Sequence, residues 1–118
     1  MLQLDNVPLK TLALQFADSF TQKDAASIGE LLHDDFCLYD PALKWVRGKP
    51  AVIAVLTKQF VEAKEVSYKV LNLFQERNTT ILEFIIKIDA AVFYGVDFMD
   101  WRGGKMTEIR CYYNPPQK

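Results

Sequence analysis

The sequence predicts an α+β fold with helices first and strands last. Two patterns carry this. Up to about residue 63, apolar residues recur at helical spacing; from Ser67 onward the chain is rich in β-branched and aromatic residues broken by short polar turns. A third observation, 118 residues without repeat, linker or low-complexity stretch, fits one domain over residues 1–118.

Leu9, Leu12, Ala13, Phe16, Ala17 and Phe20 form the apolar face of a first helix, with Pro8 suited to its first turn and Asn6 as a cap. Asp24 caps a second, shorter helix whose stripe is Ile28, Leu31 and Leu32 and whose end lies near Asp34 and Asp35. A short strand follows from Phe36 to Asp40. Its alternation puts Phe36, Leu38 and Asp40 on one face and Cys37 and Tyr39 on the other, and Pro41 ends it. Gly48, Lys49 and Pro50 open a third helix that buries Val52, Ile53, Leu56 and Phe60 and lasts to about Ala63. Ser67–Gln75, Thr79–Asp89, Val92–Trp101 and Lys105–Asn114 then read as four strands of an antiparallel meander, with turns at Arg77-Asn78 and Arg102-Gly103-Gly104. Pro115 to Lys118 form a short tail.

Composition narrows the function. Half the residues are apolar and 13% are aromatic, enough to bury a core, and a net charge of −1 lacks the basic footprint of a nucleic-acid binder. Anionic membrane is an equally poor partner. The longest apolar runs fall short of the roughly 18 residues of a membrane span, and Leu2 to Lys10 lacks the pattern of a secretory signal, so the expected location is cytoplasmic. Cys37 and Cys111 are distant and sit in apolar strands, where free cysteine behaves as a small hydrophobe. One histidine, His33, and two cysteines cannot assemble a zinc site; His33 itself reads as a solvated helix-end residue, and no metal or cofactor is expected. Gly103-Gly104 precedes a strand, which makes it a hairpin turn and not a phosphate cradle.

The chemistry-bearing residues are two aspartates. Asp97 lies in a strand that is apolar on both faces and alternates with Phe93, Gly95 and Met99. A buried carboxylate finds a hydrogen-bond partner or takes up a proton, and a protonated acid in an apolar cavity is a strong donor; alternatively, Asp97 reaches water through a bulge near Gly95. Asp40 shares a face with Phe36 and Leu38 and is held extended by Pro41. It is either a second pocket carboxylate or a turn residue bonded to nearby backbone. Two carboxylates in one apolar pocket, one a base and one a donor, suit proton transfer near neutral pH.

Phe16-Ala17-Asp18-Ser19-Phe20, His33-Asp34-Asp35-Phe36, Tyr39-Asp40-Pro41, Gly48-Lys49 and Gly104-Lys105-Met106 leading to Cys111-Tyr112-Tyr113 follow one another as in a known family. Over nearly its whole length the chain resembles the nuclear transport factor 2-like superfamily, which includes ketosteroid isomerases and SnoaL-like polyketide cyclases. The resemblance implies a cystatin-like cone: a curved antiparallel sheet around the N-terminal helices, with an apolar pocket at one end. It places Asp40 on the isomerase general base and Asp97 on the oxyanion-binding acid. Phe16, Leu32 and Leu56 stand where the oxyanion tyrosine and its two supporting tyrosines would be, and none can donate a hydrogen bond. The retained aspartates alone therefore imply a different or weaker reaction, or none.

The expected pocket is lined by Phe16, Leu38, Asp40, Leu56, Phe60, Phe84, Asp97, Met99 and Tyr113, with Trp45 as a pocket, interface or packing aromatic. It would hold a small hydrophobic or cyclic molecule. Three readings stand: cofactor-independent proton transfer, with Asp40 as base and Asp97 as donor; a non-catalytic binding module; or a dimeric interaction domain whose pocket is filled by its own side chains. A volume below about 300 Å³ favours the last over a drug-sized ligand. Alternation also turns Val92, Tyr94, Val96 and Phe98 outward with Ile81 and Ile85, which predicts a homodimer through the outer face of the sheet.

Overall fold

A computed structural model describes residues 7–115, so the Asn6 cap and the tail beyond Pro115 lie outside the described residues. Three helices, α1 (Leu9–Thr21), α2 (Ala25–Glu30) and α3 (Lys49–Glu62), accompany six strands: β1 (Leu32–Asp40), β2 (Lys44–Arg47), β3 (Val66–Glu76), β4 (Thr79–Ile88), β5 (Ala91–Arg102) and β6 (Lys105–Tyr113). The sheet order is β2-β1-β6-β5-β4-β3. All neighbours are antiparallel except β1 and β6, which run parallel.

The helices form where apolar spacing and caps agree. α1 buries Leu12, Ala13, Phe16, Ala17 and Phe20, and Pro8 stands at its N-cap. Asp24 caps α2 by accepting from the Ser27 backbone N–H at 3.0 Å. Gly48, at φ 90°, turns the chain into α3, with Pro50 in the first turn. α1 packs on β3 and α3 on β1, so both cover the same concave face.

Two boundaries differ from the sequence reading. α2 stops at Glu30, and Leu32 to Asp35 belong to β1, because the Met106 N–H donates to the Leu31 carbonyl at 2.7 Å and Leu32 pairs with Met106. An apolar pair such as Leu31-Leu32 fits either period, and pairing with β6 decides it. β2, not foreseen, makes a hairpin with β1 in which Tyr39 pairs with Trp45. The four late strands begin and end within a residue or so of expectation.

Curvature is built in. Register shifts interrupt β3 between Val70 and Asn72, β5–β6 between Asp100 and Trp101, and β1–β6 between Leu32 and Cys37. Gly95 marks the tightest approach: a Cβ there would lie 2.0 Å from the Tyr112 carbonyl oxygen and 2.8 Å from Tyr113 Cα, so only glycine lets β6 lie so close. The core beneath is apolar, with Leu82, Phe84, Met99 and Met106 fully enclosed. The enclosed Thr80 hydroxyl accepts from Trp101 Nε1 at 2.9 Å.

Candidate functional site

Between the concave face of the sheet, α1 and α3 lies a cavity of about 140 Å³. Its walls include Phe16, Leu38, Asp40, Leu56, Phe84, Asp97 and Tyr113, seven of the residues expected from sequence. Three others lie elsewhere. Phe60 packs edge-on against Phe20 at 5.2 Å in the core between α1 and α3. Met99 is two residues further along β5 than Asp97 and fully enclosed, so it forms core rather than cavity wall. Trp45 is 41% exposed on the outer face, against Tyr39 and the Arg47 guanidinium.

Asp97 sits where cross-strand register surrounds it, with Leu82 opposite on β4 and Cys111 opposite on β6. It is buried, so no bulge at Gly95 delivers it to water. Its Oδ2 accepts from the Tyr68 hydroxyl at 2.7 Å. Its Oδ1 is buried with no hydrogen-bond partner among the described residues. Cys111 lies near enough to favour the charged form, but it closes no bond to Oδ1. Burial pushes the Asp97 carboxyl from 3.8 up to about 6, against the Tyr68 and Cys111 contacts that pull it down, and nearby Asp40 adds to the rise. The shift runs towards the protonated form.

Tyr68 was missed. In Val66-Ser67-Tyr68-Lys69 it reads as an ordinary strand former, and its partner is 29 residues away. The structure holds it firmly: its backbone N–H donates to Thr21 Oγ1 at 2.8 Å, and its ring meets Phe16, Phe20 and Phe84 at 5.2 to 6.0 Å. Burial, then the neighbouring Asp97 charge, drives its hydroxyl well above the ordinary tyrosine range, so it remains a donor. Cys111 was expected only to fill space, yet it lines the cavity. Burial and the Asp97 charge push its thiol up, which keeps it from being a nucleophile.

Asp40 combines both roles open to it. Its Oδ1 accepts from the backbone N–H groups of Ala42 at 2.8 Å and Leu43 at 3.1 Å, a turn made by Asp40-Pro41, and also from the Tyr113 hydroxyl at 3.0 Å. Tyr113 is fixed against Phe93, ring centres 5.2 Å apart, and burial together with the Asp40 contact raises its pKa. Asp40, Leu43, Gln59, Phe93 and Tyr113 are half-buried or exposed and form the mouth; Phe16, Phe84, Tyr68 and Asp97 form the floor. The Gln59 side chain makes no hydrogen bond among the described residues. His33 stays out of the cavity wall, its Nδ1 accepting from the Asp35 N–H at 3.1 Å. Among the described residues no cluster of three His, Cys, Asp or Glu gathers as a metal site, and no helix is long and apolar enough to cross a membrane.

No curated protein matches the chain. Solved structures do. A nuclear transport factor 2-like protein of unknown function from Cytophaga hutchinsonii superposes with a TM-score of 0.83 at 17% identity, covering 93% of each chain. An uncharacterised cystatin-fold protein from Novosphingobium aromaticivorans gives 0.81 at 13% identity, covering 87% of this chain and 96% of the other. An LEH-like epoxide hydrolase from M. tuberculosis gives 0.77 at 15% identity, covering 88% and 80%. Identities this low speak for the fold alone, here an α+β cone of the cystatin type. The family model for the SnoaL-like domain matches residues 13–109, from the middle of α1 to the inner face of β6, and the chain therefore belongs to the SnoaL-like domain family of the nuclear transport factor 2-like superfamily.

Proposed function

We propose that the cavity binds a compact, largely apolar molecule and moves a proton to or from it without a cofactor, with Asp97 as the proton-carrying group. One observation carries this reading: Asp97 lines an apolar cavity with its Oδ1 buried and without a hydrogen-bond partner among the described residues, and burial pushes its pKa up to about 6. A base of that strength takes a proton near neutral pH and gives it back readily. Tyr68 holds the other oxygen, which aims Oδ1 and keeps the carboxylate from rotating. In the forward step a C–H, N–H or O–H proton of the ligand passes to Oδ1 and its bonding pair stays on the ligand; in the return step Oδ1 releases the proton to a different atom.

These roles reverse the pair as carried over from the isomerases. Asp40 accepts three hydrogen bonds on one oxygen at the mouth, while Asp97 keeps one oxygen unpartnered among the described residues. The cavity volume also limits the ligand. At about 140 Å³ it is well under the roughly 300 Å³ of a drug-sized site, and it matches an engineered apolar cavity of about 150 Å³ that takes benzene.

The test is deuterium exchange from heavy water into compact carbon acids and amine-bearing analogues. Parent protein should promote exchange, Asp97→Asn should lose about a hundred- to ten-thousandfold, and Asp40→Asn should lose less. Exchange unchanged in Asp97→Asn overturns the assignment. Binding without exchange in the parent leaves a binding module.

We also propose that the protein pairs with a second copy through the outer face of the sheet. Tyr94 and Tyr112 are each 45% exposed and Phe74 56%, and ring contacts run from Trp45 through Tyr39 and Tyr112 to Phe98. A patch this aromatic is costly to leave in water.

A further inference from the structure

We propose that the molecule this cavity takes is a small organic cation, an ammonium group on a compact apolar body, whose N–H donors complete the coordination of Asp97. The inference rests on the cavity being a ligand site and goes on to name the class.

The walls are unbalanced in charge. Among the described residues, Asp40 and Asp97 are the only charged side chains in the wall, and no lysine, arginine or histidine lines it. The neutral polar groups do not favour an anion or a carbonyl either. Both tyrosine hydroxyls already donate, Tyr68 to Asp97 and Tyr113 to Asp40, and the remaining donors are a raised thiol and the amide of Gln59 at the mouth. A carbonyl oxygen placed beside Asp97 Oδ1 would put two acceptors together. The empty valence in this site belongs to an acceptor, so the complementary ligand is a donor.

A charged donor fits better than a neutral one. Asp40 lies close enough to disfavour the ionisation of Asp97, so a positive charge beside them is favourable, and a charge-assisted N–H···O bond is roughly twice as strong as a neutral one. The rest of the wall suits a cation as well. Phe16, Phe20, Phe84, Phe93, Tyr68 and Tyr113 surround the space, and aromatic faces attract ammonium groups, the more so when desolvated. Volume sets the body at roughly six to eight non-hydrogen atoms, by comparison with a benzene-sized cavity.

Protonation provides an internal control. The groups facing Asp97 are Tyr68 from β3, Cys111 and Tyr113 from β6, and Asp40 from β1; β4, α1 and α3 contribute only apolar residues and Gln59. Of these, the tyrosines and the thiol stay protonated through neutral pH, so acidification acts on the carboxylates. The cation should bind less tightly as Asp97 takes up its proton near pH 6.

Three isosteric probes test this by calorimetry and by amide-shift mapping on the full chain: benzylammonium, benzyl alcohol and benzoate. At pH 8, benzylammonium should bind at least about tenfold more tightly than benzyl alcohol, with shifts centred on Tyr68, Asp97 and Cys111, and benzoate should be excluded. The preference should shrink severalfold at pH 5 and in Asp97→Asn, while benzyl alcohol binding persists. If Asp97→Asn fails to fold, Asp40→Asn should show the same weakening in lesser degree. Benzyl alcohol binding in the cavity as tightly as benzylammonium overturns the cation and leaves the ligand site standing. Binding of none of the three, or shifts that map away from the cavity, overturns both.

Discussion

Asp97 was legible as a single residue because a carboxylate in a strand apolar on both faces has no cheap explanation. Its partner was not. Tyr68 pairs with it across two strands, and nothing local marks a tyrosine in an amphipathic strand as a carboxylate ligand. The burial has a consequence for stability. Because the folded-state pKa is raised from 3.8 to about 6, the protonated form is the one the fold favours. Asp97 therefore contributes stability that is complete below about pH 4 and is lost as pH rises through 6, about 3 kcal/mol for two units of displacement. Asp97→Asn lacks this titration and keeps the shape. Urea unfolding at pH 4.5 and pH 7.5 should show the Asn variant gaining on the parent by about 2 kcal/mol as pH rises, the part of the displacement that lies between those values. An equal difference at both pH values would contradict it. Asp24 and Asp100 are shifted the other way by Ser27 and by Thr79 and Arg110, but they are common to both proteins and cancel.

Among the elements, the long strands and α1 were readable because their period is sustained over nine or more residues. β2 has four residues, too few to show alternation, and the start of β1 was hidden by an apolar pair that suits either period. The sequence also cannot say that β1 lies parallel to β6, since their partnership spans most of the chain. Gly95 shows how an element positions the site. It lets β6 press against β5, and Cys111 and Tyr113 reach the cavity from the segment so held. Gly95→Ala would drive a methyl into the Tyr112 carbonyl, so β6 must shift. The expected cost is about 3 kcal/mol in chemical unfolding, with loss of the Tyr113 contact to Asp40. An unchanged midpoint would mean that the close approach is not needed.

At the level of the whole molecule, the inward face is served by the cavity and the outward face by its aromatic rows. The outward stripe was expected from Val92, Tyr94, Val96, Phe98, Ile81 and Ile85; Tyr39, Trp45 and Tyr112 extend it, because β1 and β2 continue the sheet beyond β6. Sedimentation at micromolar concentration should give a dimer, and Tyr112→Lys should give a monomer of unchanged helix and strand content. A monomeric parent would remove the proposed pairing.

Proton movement in the cavity requires a carboxylate strong enough as a base, and the direct measurement is a carbon-13 titration of the Asp97 carboxyl in the folded protein. The predicted midpoint is about 6, moving higher in Tyr68→Phe, where the hydroxyl that favours the charged form is gone. A midpoint at or below the ordinary 3.8 would contradict Asp97 as the base.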